Sequence, residues 1–285
     1  MKSDEASVPL QFHNGSLLPA NEGVLSVSEI GRLTGIGIFE TIPIHYGSPF
    51  ALSHHIERLQ TGADRFGLPC LSLEALREKI EILLRENGFS EAPLAKARVT
   101  IISADQSESG IHEIVEIGPP PSHTSTAEVI TLPFARNEKS ALAGIKTINY
   151  SENAVAQREA KQAGADDALF ANTSGDLCEG IWANAFFKVS GRWITPDLSS
   201  GCLPGITRMH VLGLSEDISE ENLSSSRLGE VSSAFFTSSM RGIQPIASIN
   251  GRSLESPSDP DIDRWVSAFQ QLTAPVPPPP GEPIL

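Results

Sequence analysis

The sequence predicts a two-domain α+β protein, a small N-terminal domain followed by a larger α/β domain. Three observations lead there. A proline-rich segment, GPPPSHTST at 118–126, splits the 285 residues, because consecutive prolines continue neither a helix nor a central strand. Ahead of it, two hairpin signals precede two segments of helical periodicity. Behind it, strand and helix patterns follow one another, as they do where helices cover a sheet. The boundaries fall at residues 1–122 and 123–273, with a proline-rich tail at 274–285.

In the first domain, FHNGSLLP reads as a hairpin around Asn14-Gly15 and GIFETIPIHYGSPF as a second one turning near Gly47. Residues 53–66, SHHIERLQTGADRF, bring Ile56, Leu59 and Ala63 to one face, which is helical spacing. A second helix is predicted over 73–87 and a strand over 97–103, ARVTIIS. In the second domain EVITLPF is a strand, and Ser151 caps a helix that Gly164 stops. DALFAN and LCEGIWANAFFKVSGRWITP are strands, with turns at Ser174-Gly175 and Ser190-Gly191. A helix opens after Pro204, and VSSAFFTSSMRGIQPIASING returns to strand. From Ala274 the run PVPPPPGEP suits extended polyproline.

Composition excludes several functions. A formal charge of -14 and a pI near 4.9 argue against nucleic acid or an anionic membrane as partner, so anionic ligands must be held by local groups. The N-terminal MKSDEASVPLQF lacks an apolar signal core, and no run approaches the roughly 20 apolar residues of a membrane span. Cys70, Cys178 and Cys202 have neither metal-ligand spacing nor an even framework. A cytoplasmic protein with reduced thiols and no metal is expected.

Most residues with chemical promise lie between 146 and 239, with Arg58 outside that span. Of seven lysines, most sit in charged or terminal contexts, whereas Lys146 lies in LAGIKTINY among Leu142, Ile145 and Ile148. Burial would lower its pKa and make it a nucleophile toward aldehydes, while a strand-end lysine snorkelling to water is the plain alternative. Glu179, in LCEGIWANAFF, needs a buried partner. A protonated pyridine nitrogen would serve, and so would a salt bridge to Arg192 or Arg208. LPGITR sets Pro204 at a helix start with N–H groups of Gly205, Ile206 and Thr207 open to phosphate, although many helices begin this way. Ser238 and Ser239 form a hydroxyl-rich turn and Arg58 offers a fork of donors, unless they are surface residues.

Taken in order, GIGIFET (35–41), HIERL (55–59), the KTINY lysine block, EGIWANAFF, LPGITR and TSSMRGIQPI resemble the fold type IV pyridoxal-phosphate enzymes, the class-IV aminotransferase family. The resemblance runs from about Phe12 to Ile249. It implies a small α/β domain, a C-terminal pseudo-barrel and a homodimer with the site between the domains. By resemblance Lys146 forms the Schiff base with pyridoxal 5'-phosphate and Glu179 pairs with the pyridine nitrogen. Arg58, Ile206, Thr207, Ser238 and Ser239 hold the phosphate, and Tyr150 stands near the phenolic oxygen. Phe39, Arg98 and Trp182 border the pocket for a small amine or amino-acid-like substrate.

The chain also departs from the family. Glu29-Ile30-Gly31 and Gly35-Ile36-Gly37 stand where members often have Asp-Arg-Gly and Gly-Asp-Gly, and Ile181-Trp182 replaces small hydroxyl residues, so the indole is expected to narrow the pocket. Ser103 occupies the place of the arginine that D-amino acid transaminases carry. The Tyr-Gly-Thr-Ser and Gly-Thr-Ala blocks of branched-chain aminotransferases are missing. LAGIK and SSMRGIQP look more like aminodeoxychorismate lyase, with a class-IV transaminase as the alternative. A phosphate-ligand-binding protein without turnover is the reading from another class, and it leaves Lys146 without a use.

Overall fold

The computed structural model describes residues 8–22, 34–104 and 110–274. Two sheets organise them. The first is built from β1 (Leu10–His13), β2 (Ser16–Pro19), β3 (Gly37–His45), β4 (Ser48–Pro49), β5 (Ala95–Ser103) and β6 (Ile111–Gly118) in the order β2-β1-β6-β5-β3-β4. Every pairing in it is antiparallel. Its two hairpins turn at Asn14-Gly15 and Tyr46-Gly47, as the sequence predicts.

Helices α1 (Leu52–Phe66) and α2 (Leu73–Glu86) cover this sheet. Leu59 and Ala63 on α1, and Leu76, Ile80, Leu83 and Leu84 on α2, join Ile42, Ile44, Val99 and Ile101 of the strands in one core. Each fully buried Leu or Ile contributes about 1.5–3 kcal/mol through lost apolar exposure. Ser72 caps α2 by accepting the Ala75 N–H at 3.1 Å.

The chain leaves the first sheet at Gly118 and enters the second at Ala127. The second sheet has nine strands: β7 (Ala127–Arg136), β8 (Asp167–Asn172), β9 (Leu177–Gly180), β10 (Asn184–Val189), β11 (Arg192–Thr195), β12 (Ile218–Glu220), β13 (Val231–Ser238), β14 (Gly242–Ile249) and β15 (Arg252–Ser253). The order is β12-β11-β10-β13-β14-β7-β8-β9, with β15 on β14. Parallel pairs β7/β8, β14/β7 and β11/β12 interrupt an otherwise antiparallel ladder. Helices α3 (Ser151–Gln162), α4 (Ile206–Gly213) and α5 (Pro260–Thr273) complete the fold.

The parallel step from β7 to β8 requires a crossover. Here the crossover first runs to the other sheet. Phe39 N–H donates to Lys146 O and Ile148 N–H to Gly37 O, both at 3.0 Å, before α3 carries the chain back. Gly37 permits that approach, because a Cβ there would lie 2.7 Å from Ile101 O and 2.8 Å from Ile148 Cδ1.

Several expectations need correction. Ser151 is the first residue of α3 rather than its cap, and Tyr150 holds the cap position without a side-chain bond. The helix stops at Gln162, with Gly164 two residues beyond at φ 74. Pro204 lies before the Gly205 cap of α4, not at its first turn. The strand read through LCEGIWANAFF breaks at 181–183, where the backbone bends between β9 and β10. Helix α5 was not expected, although Asp259 caps it at 3.0 Å and Ile262, Trp265 and Phe269 recur on one buried face. Glu29-Ile30-Gly31 and the polyproline tail beyond Ala274 lie outside the described residues.

Candidate active site

A cavity of about 490 Å³ opens where the crossover segment, the C-terminal end of β9 and the start of α4 converge. Its walls include Arg58, Lys146, Tyr150, Glu179, Trp182, Ile206, Thr207, Ser238 and Ser239. Lys146 Nζ lies 4.5 Å over the Phe39 ring and 5.8 Å from the Tyr150 ring centre. Burial, then the charges of Arg58 and Arg98, push its ammonium down, while Glu40 and Glu179 push it up. The net position is about 8, low enough for a useful fraction of free amine near neutral pH.

Glu179 stands across the cavity on β9. Leu203 N–H donates to its Oε2 at 2.9 Å, and Arg136 Nε lies 3.3 Å from Oε1. Burial raises its carboxyl, and the Arg136 charge is the first influence opposing that rise. Neither partner considered from the sequence is used: Arg192 pairs with Glu221, and Arg208 with Glu220 and the Pro196 carbonyl. Arg192 lies on β11 and Arg208 on α4.

Arg58 forms the third corner. Its Nε and Nη2 donate to the two oxygens of Glu40 at 2.7 and 2.8 Å, and Nη1 donates to Pro204 O at 2.9 Å. A guanidinium has five N–H groups, so these bonds leave two for a ligand. Glu40 is fully enclosed and also accepts from His55 Nδ1 at 2.8 Å. Burial pushes its carboxyl up, yet the Arg58 charge and the His55 and Arg58 hydrogen bonds outweigh this and bring it down to about 2. Burial holds His55 below its ordinary value, while the Glu40 hydrogen bond and charge oppose that shift.

Close packing shapes the loop before α4. Asn184 Nδ2 donates to Leu203 O at 2.8 Å, and a Cβ on Gly205 would lie 1.9 Å from Asn184 Oδ1. The first turn of α4 has no side-chain cap, so its N–H groups at Ile206 and Thr207 stand open beside the cavity. Thr237 Oγ1, also in the wall, is buried without a partner among the described residues. Ser238 Oγ accepts the Arg241 N–H at 3.3 Å, which fixes the turn that carries Ser239.

The substrate-side residues divide between the wall and a layer behind it. Trp182 lines the cavity, 42% exposed and 5.4 Å from the Tyr150 ring centre, so its indole stands toward the mouth. Phe39 and Arg98 form a layer behind the wall: Arg98 stacks on Phe39 at 3.9 Å, and Phe39 meets the Tyr150 ring edge-on at 5.2 Å. Arg98 Nε donates to Thr100 Oγ1 at 3.3 Å, and burial lowers its guanidinium. Tyr150 is pushed up, by burial first and by Glu179 next, and stays a neutral phenol. Arg136, Glu40, His55 and Asn184 escaped sequence reasoning. Glu40 left a signal, a lone acid in the apolar run IFETIPI, whereas Arg136 at a strand end left none.

The profile of the family described as Amino-transferase class IV matches residues 37–249. The chain is 31% identical to an Aminodeoxychorismate lyase of Bacillus subtilis over 223 residues, 74% of this chain and 75% of that protein. Its structure superposes with TM-score 0.85 on a branched-chain aminotransferase from Thermoproteus uzoniensis, at 25% identity, covering 93% of this chain and 94% of that one. It superposes with TM-score 0.83 on the pyridoxal-phosphate form of a branched-chain amino acid aminotransferase from Thermobaculum terrenum, at 22% identity over 94% of each chain. The chain therefore belongs to the class IV amino-transferase family and has the type IV fold. It is a pyridoxal-phosphate-dependent enzyme. The residues present suit that cofactor: an amine with a depressed pKa, a carboxylate opposite it, and an uncapped helix start beside an arginine with two spare donors.

Proposed function

We propose that this enzyme is a 4-amino-4-deoxychorismate lyase, which releases 4-aminobenzoate and pyruvate. The observation that carries the reading is the 31% identity to the Bacillus subtilis lyase across three quarters of both chains. When bound, pyridoxal phosphate supplies an aldehyde carbon that takes up the substrate amine and a ring that accepts the electron pair left on the substrate carbon.

The chain's own residues then divide the work. Lys146 is the base that removes the C4 proton, which its position near pH 8 permits. The C3–O bond breaks, the carbocycle becomes aromatic, and the departing enolpyruvate gains a proton to become pyruvate. With the cofactor bound, Glu179 would pair with the ring nitrogen and Tyr150 would lie near the phenolic oxygen. Arg58, the first turn of α4 at Ile206 and Thr207, and the Ser238-Ser239 turn hold the phosphate. Phe39 and Arg98 support the substrate side from behind, and Trp182 guards the mouth. A division into domains near residue 122, a homodimer and a cytoplasmic setting belong to the same reading. Among the described residues no helix is long and apolar enough to cross a membrane.

The second reading is a class-IV transaminase with a keto-acid acceptor, favoured by the 0.85 TM-score against an aminotransferase solved with norvaline. The two are separated by supplying purified enzyme with aminodeoxychorismate and no keto acid. Equal amounts of 4-aminobenzoate and pyruvate support the lyase. If no aminobenzoate forms, while an amino acid bleaches the cofactor absorbance and a keto acid restores it, the enzyme is a transaminase.

A further inference from the structure

Arg136, the last residue of β7, is clamped on three sides. Its Nη2 donates to Asn153 Oδ1 at 3.3 Å, its Nη1 lies 3.8 Å from Glu152 Oε2, and its guanidinium plane covers the buried Phe170 ring at 4.1 Å. Asn153 is itself fixed, because its amide donates to the Ile181 carbonyl just past β9. The free edge, Nε, faces Glu179 at 3.3 Å, out of hydrogen-bonding line, so the contact is an ion pair. The side chains of Arg136 and Glu179 are only 17% and 13% exposed, which limits solvent screening.

We propose that Arg136 is a positioning residue for the cofactor: it holds the Glu179 carboxylate charged and turned toward the ring nitrogen. This rests on the reading of Glu179 as the ring-nitrogen partner. The groups facing Glu179 are few. Arg136 comes from β7, Lys146 and Tyr150 from the crossover, Cys178 from β9 itself and Cys202 from the loop before α4, with the Leu203 N–H on the other oxygen. Arg136 is the cation in direct contact. Without it a carboxyl this buried takes up a proton, and a protonated carboxyl cannot stabilise a ring N–H⁺.

A cofactor analogue separates positioning from scaffolding. Pyridoxal phosphate and its 1-deaza analogue, in which CH replaces the ring nitrogen, differ only at the atom Glu179 faces. Equilibrium dialysis of the apoprotein should show R136Q binding pyridoxal phosphate roughly tenfold more weakly, one pKa unit's worth, with the deaza affinity unchanged. R136K should restore most of the difference. Equal losses for both ligands, or no loss for either, would overturn the proposal. E179Q is measured beside it. If E179Q treats the two ligands alike, the ring-nitrogen reading itself falls. A selective loss in E179Q with none in R136Q removes Arg136 alone. Should R136Q not fold, N153A must give the same selective loss at smaller size, and its absence also overturns the proposal.

Discussion

Phe39 holds Lys146 twice: its N–H donates to the Lys146 carbonyl at 3.0 Å, and its ring lies 4.5 Å beneath the same residue's Nζ. The backbone bond ties the crossover from the second sheet to β3 of the first. The ring contact then places a cation over an aromatic face at the end of that tie. One residue of the first sheet thus sets both the position and the surroundings of an amine that the second sheet delivers.

An amine near pH 8 has a testable reactivity. Lys146 should capture pyridoxal phosphate faster as pH rises from 7 to 9, with the midpoint near 8 and little further gain above about pH 9. Stopped-flow absorbance on the apoprotein measures this. Borohydride reduction and peptide mapping should place the pyridoxyl label on Lys146, and label on another lysine would remove it from the role.

Arg58 and Glu40 make a second prediction. Arg58→Ala removes a charge-assisted contact of about 1.5–3 kcal/mol, so cofactor affinity should fall roughly 10- to 100-fold. The same variant leaves Glu40 buried without its main counter-charge. Because Glu40 titrates near 2 in the fold and near its ordinary 4.5 unfolded, its contribution to stability is full above about pH 4.5 and is lost as pH falls toward 2. Denaturant titrations should show that acid-side slope shrink in Glu40→Gln, and an unchanged slope would remove Glu40 as its source.

The sequence revealed the parts that follow from local chemistry. Asn14-Gly15 and Tyr46-Gly47 turn where expected, because turn residues act over a few positions. Lys146, Glu179, Arg58 and Thr207 converge on one cavity, as their motifs implied. What stayed hidden depends on distant pairing. Arg136 and Glu179 are 43 residues apart, and only the β7-β8-β9 ladder brings them to 3.3 Å. That Trp182 stands toward the mouth of the cavity depends on the bend at 181–183, which sequence spacing does not show. Helix α5 was missed because its cap, Asp259-Pro260, follows another proline at Pro257, in a run that reads as loop.

Glu179→Gln, assayed at saturating cofactor, tests the electronic part of the site. The amide keeps the shape and can still accept the Leu203 N–H through its oxygen, but it carries no charge for a ring N–H⁺. Turnover should drop about 10²-fold or more while the protein still takes up cofactor. Steady-state kinetics with a cofactor-occupancy measurement test the pair of outcomes, and full activity would rule out an electronic role.

Gly205 offers the sharpest steric test. Any side chain there meets Asn184 Oδ1 at 1.9 Å, and Asn184 cannot swing away freely because its amide is bonded to Leu203 O. Gly205 has φ -69, an ordinary value, so the obstacle is space and not backbone strain. Gly205→Ala should therefore push the loop outward and shift the first turn of α4 with it, costing about 1–3 kcal/mol of stability and weakening cofactor binding. Asn184→Ala removes the obstructing atom at the expense of one hydrogen bond. In a double-mutant cycle the pair should be less destabilised than the sum of the singles, with a coupling on the order of 1 kcal/mol. Thermal melts of the four proteins measure it, and strict additivity would show that the contact does not govern the loop.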